Sequence, residues 1–241
     1  MLANYSWNES SNQLTLAQLL ADRLVAQLSQ SIAAQGVAVI ALSGGSTPKP
    51  LFKALAQRDL DWSRVVITLV DERWVSPGHE LSNESFMHQY LLDDLPNSVT
   101  FVPLYRQAEN APASLQEVLK IYCVATKSDP SRPRPFDAVV LGMGGDGHTA
   151  SFFPDADNIA DLVDVNNPNN LLSCNSPSSQ VERITWSLPM LLDTSVLALH
   201  ITGQNKRQVF ETATKGGAMT GLPIRSVIFQ QQTLLHVYYA D

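Results

Sequence analysis

Apolar positions along the chain follow two spacings. From Leu16 through Leu19, Leu20, Leu24 and Leu28 to Ile32 they recur every three or four residues, as on a helix that docks one face on a core, and Gly36 provides a stop. Three later runs are continuous instead: Val37 to Leu42, Val65 to Val70 and Phe136 to Leu141. Short, β-branched and uninterrupted, they predict strands buried on both faces. Ser195 to Ile201 and Leu234 to Tyr239 predict two more. Helical stretches are expected at 51–57, 84–92, 114–125 and 204–213, and segment 182–193 reads as a strand bending into a helix. Segment 166–179 is turn-rich around one short strand, while the three prolines of 128–135 predict a loop. Strands alternating with helices predict an α/β fold, a doubly wound, mostly parallel sheet with helices on both faces. With no internal repeat, one domain over 1–241 is expected.

In such sheets ligands bind beyond the carboxyl ends of the strands. Ser43-Gly44-Gly45-Ser46-Thr47-Pro48 follows the first buried run, Asp71-Glu72-Arg73 the second and a glycine-rich stretch, 142–149, the third. The strand at 195–201 releases Lys206 a few residues later. Segments distant in sequence are therefore expected along one sheet edge.

Each segment admits a plain reading beside a chemical one. Glycines and hydroxyls at 43–47 suit close approach of a phosphate to backbone amides at a helix start, or they form an ordinary turn capped by Ser46 or Thr47. The charges of 71–73, taken alone, read as an exposed loop. Residues 142–147, GMGGDG, satisfy GxGxxG, but Pro154 follows too soon for the helix that a dinucleotide site opens directly from that turn. The same stretch holds Asp146 and His148. A histidine at a strand end accepts a proton near neutral pH and can activate water against an ester carbonyl, with Asp146 placed to orient it. His79, His88, His200 and His236 read as structural, and His200, inside an apolar strand, as a satisfied core group. Arg183 and Lys206 suit a phosphate, or they lie exposed at the surface.

Composition narrows the classes. Sixteen basic against 23 acidic residues leave a net charge of −7, against a nucleic-acid partner but compatible with a small anion held by a local cationic cluster. Cys123 and Cys174 are isolated, as in a reducing compartment. The polar N-terminus lacks a secretory pattern, and no run approaches the roughly 20 apolar residues of a membrane span. A cytoplasmic location is expected, without a membrane partner; oligomeric state is open. Metal binding finds no HExxH or Cys/His cluster, and a serine nucleophile no GxSxG.

Together, SGGSTP at 43–48, DERWV at 71–75, SN at 82–83, GMGGDGHTASFFP at 142–154, RIT at 183–185 and TGQNK at 202–206 resemble the 6-phosphogluconolactonase family. The resemblance spans roughly residues 16 to 215, in the order of the predicted elements. It implies hydrolysis of a phosphorylated sugar lactone, 6-phospho-D-glucono-1,5-lactone, without cofactor or metal. It further implies His148 as base beside Asp146, residues 43–47 as substrate loop, Arg183 and Lys206 as phosphate ligands, and Asp71 and Arg73 as pocket residues. Leu81 and Glu84 around the SN pair depart from the usual pattern, as do Phe152 and Asp155 in SFFPD. Two other readings remain: a glucosamine-6-phosphate deaminase or isomerase with Asp71 as base, and a non-catalytic sugar-phosphate sensor.

Overall fold

A computed structural model describes residues 2–241. Seven strands form one sheet in which every pairing is parallel: β1 (Tyr5–Ser10), β2 (Ala38–Leu42), β3 (Val65–Leu69), β5 (Thr100–Val102), β6 (Phe136–Leu141), β9 (Thr194–Thr202) and β10 (Leu235–Ala240). Their order is β1-β10-β9-β6-β2-β3-β5. From β2 the chain moves outward through β3 to β5, then returns to the other side of β2 and moves outward through β6, β9 and β10. Right-handed crossovers in opposite directions place helices on both faces, so the sheet is doubly wound as expected. The reversal falls between β2 and β6, which are hydrogen-bonded neighbours; the loops leaving them diverge and open a crevice.

The continuous runs are continuous because both faces are covered: every residue of β2, β3 and β6 is buried. Helix α1 (Gln13–Gln35) begins with Asn12 accepting hydrogen bonds from the amides of Leu14 and Thr15, and ends at Gly36 with φ +79°, a left-handed conformation that favours glycine. Its buried stripe, Leu16, Leu20, Leu24 and Leu28, lies across β2, β6, β9 and β10. Leu19, counted with that stripe from its spacing, is exposed. Three residues on from Leu16, it lies to one side of that residue, while the i+4 series of Leu20, Leu24 and Leu28 drifts around the helix to the other.

Two strands of this sheet give little signal in the sequence. In β1 only Tyr5 and Trp7 alternate with polar residues, the mark of an edge strand covered on one face, and β5 has only three residues. The larger departure is at 71–73, which is not an exposed loop. Asp71–Arg73 form β4, paired antiparallel with β8 (Arg183–Trp186), which in turn pairs with β7 (Leu171–Cys174). Trp186 fastens this small sheet to the large one. Its indole donates to the carbonyl of Leu69 (3.0 Å) and its ring packs against Tyr122 and Phe136.

The two carboxylates of β4 are tolerated because they accept hydrogen bonds. Glu72, fully buried, accepts from the backbone amides of Arg73, Asn83 and Glu84, each at 2.7 Å. It thereby joins β4 to the start of helix α3 (Asn83–Tyr90). Burial pushes its carboxyl up to about 7, against the pull of the three amides. Glu72→Gln replaces an accepting oxygen with a donor facing donors, so urea unfolding at pH 8 should lose about 2–4 kcal/mol. A loss under about 0.5 kcal/mol would show that these bonds contribute little net stability.

Candidate active site

Loops from five strands meet at the switch point around a crevice of about 390 Å³. The turn after β2 contributes Ser43, Gly44, Gly45, Ser46 and Thr47; β4 contributes Asp71 and Arg73; the loop after β6 contributes His148; β8 contributes Arg183; and helix α7 (Gln204–Thr214), after β9, contributes Lys206. Asp146 stands behind His148 rather than on the wall. The expected candidates are thus brought together, across more than 160 positions of sequence from Ser43 to Lys206.

The 43–47 turn is not the capped turn of the plain reading. Helix α2 (Lys49–Ala56) starts at Pro48 without a side-chain cap, and Thr47 instead lies 3.5 Å, hydroxyl to hydroxyl, from Thr202. Its first amides are therefore left for another acceptor. Gly45 has φ +99°, and a Cβ on Gly44 would overlap the side chain of Asn83. Asn83 is buried, donates to the carbonyl of Asp71 (2.9 Å) and lines the crevice.

In the 142–154 loop no helix opens after the glycines; the next one, α5 (Ile159–Leu162), starts eleven residues beyond His148. The loop turns back on itself, with the Gly144 amide donating to the His148 carbonyl (2.8 Å) and the Thr149 hydroxyl to the Gly142 carbonyl (2.8 Å). His148 Nδ1 lies 2.6 Å from Asp146 Oδ1. Burial raises the Asp146 carboxyl, but the hydrogen bond and charge of His148 outweigh it and hold the group down at about 2. An ionised carboxylate accepts, so in the neutral ring Nδ1 carries the proton and the lone pair is left on Nε2. The imidazole stacks on Phe153, ring centroids 4.4 Å apart, and the guanidinium of Arg183 lies 5.2 Å from the same ring.

Arg183 is buried, not a surface group, and sits directly opposite Arg73 in the antiparallel register of β4 and β8. Like charges in that position repel. Asp71 offsets one of them at 3.7 Å and is itself held by the Ser151 hydroxyl at 2.6 Å. Burial, with Arg73 nearby, lowers the basicity of Arg183 against the pull of Asp71. The Nε of both arginines is buried without a partner, and half-buried Lys206 makes no ion pair among the described residues. Three cations and one carboxylate, Asp71, thus line the crevice of a chain whose net charge is −7. The arrangement suits an anion of more than one charge.

A profile of the glucosamine-6-phosphate isomerases/6-phosphogluconolactonase family matches residues 11–236. The chain belongs to this family. It is 40% identical over 229 residues to 6-phosphogluconolactonase of Rhizobium meliloti (strain 1021), covering 95% of this chain and 96% of that one. With the enzyme of the same name from Mesorhizobium japonicum it shares 39% over 241 residues, covering 99% and 96%. The crystal structure of a 6-phosphogluconolactonase from Shewanella baltica OS155 superposes with TM-score 0.88 at 32% identity over the full length of both chains. A monomeric glucosamine-6-phosphate deaminase shares the fold alone, at 15% identity and TM-score 0.74.

One of the chain's departures from the family pattern has a visible consequence, and another does not. Asp155 accepts from the hydroxyl of Ser176 and from the amide and hydroxyl of Ser178 (3.0 and 2.9 Å), tying the 177–179 turn to the loop that carries His148. Ser178 thereby reaches the crevice. Glu84 donates its amide to Glu72, a bond that any residue but proline makes. Sequence reading missed Asn83, Phe153 and Ser178 as site residues. The SN pair was visible as a motif, but only the fold seats Asn83 against Gly44. The description of His200 as a satisfied core group is also corrected: it is buried, but neither ring nitrogen has a partner, and it lines the crevice.

Among the described residues, no group of three His, Cys, Asp or Glu side chains converges as a metal site. A second tight steric constraint, beside that at Gly44, is at Gly144, where a Cβ would overlap both His148 Nδ1 and the Asp146 carboxylate. Gly144→Ala should lower kcat/KM by about 100-fold through displacement of the imidazole, with the thermal midpoint nearly unchanged. Retention of full activity would show that the Asp146–His148 geometry is not needed.

Proposed function

We propose that the chain hydrolyses 6-phospho-D-glucono-1,5-lactone to 6-phospho-D-gluconate, the second step of the oxidative pentose phosphate pathway, and does so without a cofactor. The observation that carries this reading is an imidazole with a free Nε2 on the wall of a crevice lined by three cations. Its relatives of 39–40% identity bear the same activity in their names. Among the described residues no helix is long and apolar enough to cross a membrane.

In the proposed reaction the phosphate engages Arg183 and Lys206, with Arg73 opposite, and this remote binding energy holds the lactone carbonyl near His148. Nε2 takes a proton from water as the water oxygen attacks C1. Asp146, ionised throughout, steadies the imidazolium. Charge develops on the carbonyl oxygen, where backbone amides of the glycine-rich turns stabilise it. The tetrahedral intermediate then expels the ring oxygen, which takes the proton back from His148. One water is consumed, one ester bond is broken, and the acid and a hydroxyl result.

Asp71 favours hydrolysis over the deaminase alternative. A base for proton transfer between sugar carbons needs a free carboxylate, whereas Asp71 is buried, accepts from Ser151 and lies beside Arg183. A coupled assay for ammonia release, run beside the lactone assay, separates the two.

His148→Ala should lower kcat/KM on freshly prepared lactone by about 100- to 10,000-fold after subtraction of spontaneous hydrolysis. Wild-type kcat/KM should fall on the acid side with a slope of one proton. Asp146 does not contribute to that limb: its pKa is lowered to about 2, so its charge and the order it gives to His148 are lost only as pH falls through that value. Unaltered turnover in the variant removes His148 from the mechanism. Arg183→Ala should weaken the phosphorylated lactone by about tenfold or more, with little effect on unphosphorylated gluconolactone. Equal losses on the two substrates would count against phosphate recognition by Arg183.

A further inference from the structure

His200 lies near the carboxyl end of β9, beside Tyr238 in the parallel register with β10. Side chains alternate along a strand, so it shares a face with Thr202, whose hydroxyl meets that of Thr47. The imidazole therefore lies under the substrate turn and contributes to the crevice wall. It is 3% exposed, and both ring nitrogens are buried without a partner.

This is an unfavourable way to fill a core position. Its strand neighbours Leu199 and Ile201 are apolar, and leucine or phenylalanine at 200 would bury no unmet polar atom. Burial alone acts on its basicity and pushes it down to about 4, so the ring is neutral at ordinary pH. A neutral imidazole offers one donor and one acceptor. Phosphate and carboxylate oxygens only accept when ionised, and the crevice already presents cations to them. A hydroxyl both donates and accepts, and so matches either ring nitrogen.

We propose that His200 is a substrate-binding residue that recognises a hydroxyl on the carbon chain of the sugar acid rather than its phosphate. On binding, the ring turns about its Cβ–Cγ bond and presents a nitrogen to the crevice it already lines. This assignment deepens the lactonase reading and rests on it.

The test compares two ligands by calorimetry on wild type, His200→Phe and His200→Gln. One ligand is 6-phosphogluconate. The other, 6-phosphonooxyhexanoate, keeps the same length, carboxylate and phosphate but has no hydroxyls. His200→Phe should weaken 6-phosphogluconate by about tenfold or more and leave the dehydroxylated ligand within about twofold. His200→Gln, which restores a donor and an acceptor, should recover part of the loss. If the phenylalanine variant does not fold, the glutamine variant carries the comparison, with a smaller loss confined to 6-phosphogluconate. In turnover, the loss should fall on KM more than on kcat. Equal weakening of both ligands, or of neither, overturns the assignment and leaves a phosphate contact or a packing role. Lactone hydrolysis by wild type distinguishes the two levels: if it is absent, the function itself fails, and if it is present with unaltered variants, only the role of His200 fails.

Discussion

Two guanidinium groups, that of Arg183 buried and that of Arg73 partly so, face each other across paired strands in the crevice wall. Arg73 and Arg183 are register partners, and Asp71 is the carboxylate beside Arg183. Repulsion at such a position is tolerated only where the surrounding structure fixes both strands and something of opposite charge completes the set. The fixing is visible. Glu72 pins β4 through three amides, and Trp186 anchors β8 to the main sheet through the Leu69 carbonyl. In the proposed reaction the completing charge is the phosphate of the substrate. The small antiparallel sheet is thus the device that brings cationic charge to the switch point of a parallel sheet, whose own strand ends supply mainly amides and hydroxyls.

The second half of the site is set by different physics. His148 is oriented by an anionic neighbour two residues away, by a glycine that leaves no room for a Cβ and by the face of Phe153. Phe153 also lies against Arg183, so the proposed proton-handling group and a proposed anion ligand share one aromatic surface. That sharing links the position of the anion to the position of the imidazole. In the proposed reaction it gives a physical route by which phosphate, distant from the reacting carbon, helps to orient the substrate for attack.

Much of this was legible in the sequence, for identifiable reasons. Strands buried on both faces write themselves as unbroken apolar runs, and α1 as a stripe, so the large sheet and its ligand-binding edge followed from periodicity. The glycine-rich turns were legible as motifs. Strand β4 was not, because Asp71, Glu72 and Arg73 resemble solvent-exposed charge until the amides of 83 and 84 and the guanidinium of 183 are brought to them. Edge strand β1, with two apolar positions, and the three-residue β5 carry too little pattern. His200 was misjudged for a related reason: an apolar context in sequence reveals burial, but not whether a polar atom finds a partner there.

The most direct test of the central claim is a crystal structure of the protein with 6-phosphogluconate bound. The account predicts the phosphate within hydrogen-bond reach, about 3 Å, of the Arg183 guanidinium and the C1 carboxylate at the same reach from His148 Nε2. A product bound with its phosphate at His148, or outside this crevice, would contradict it.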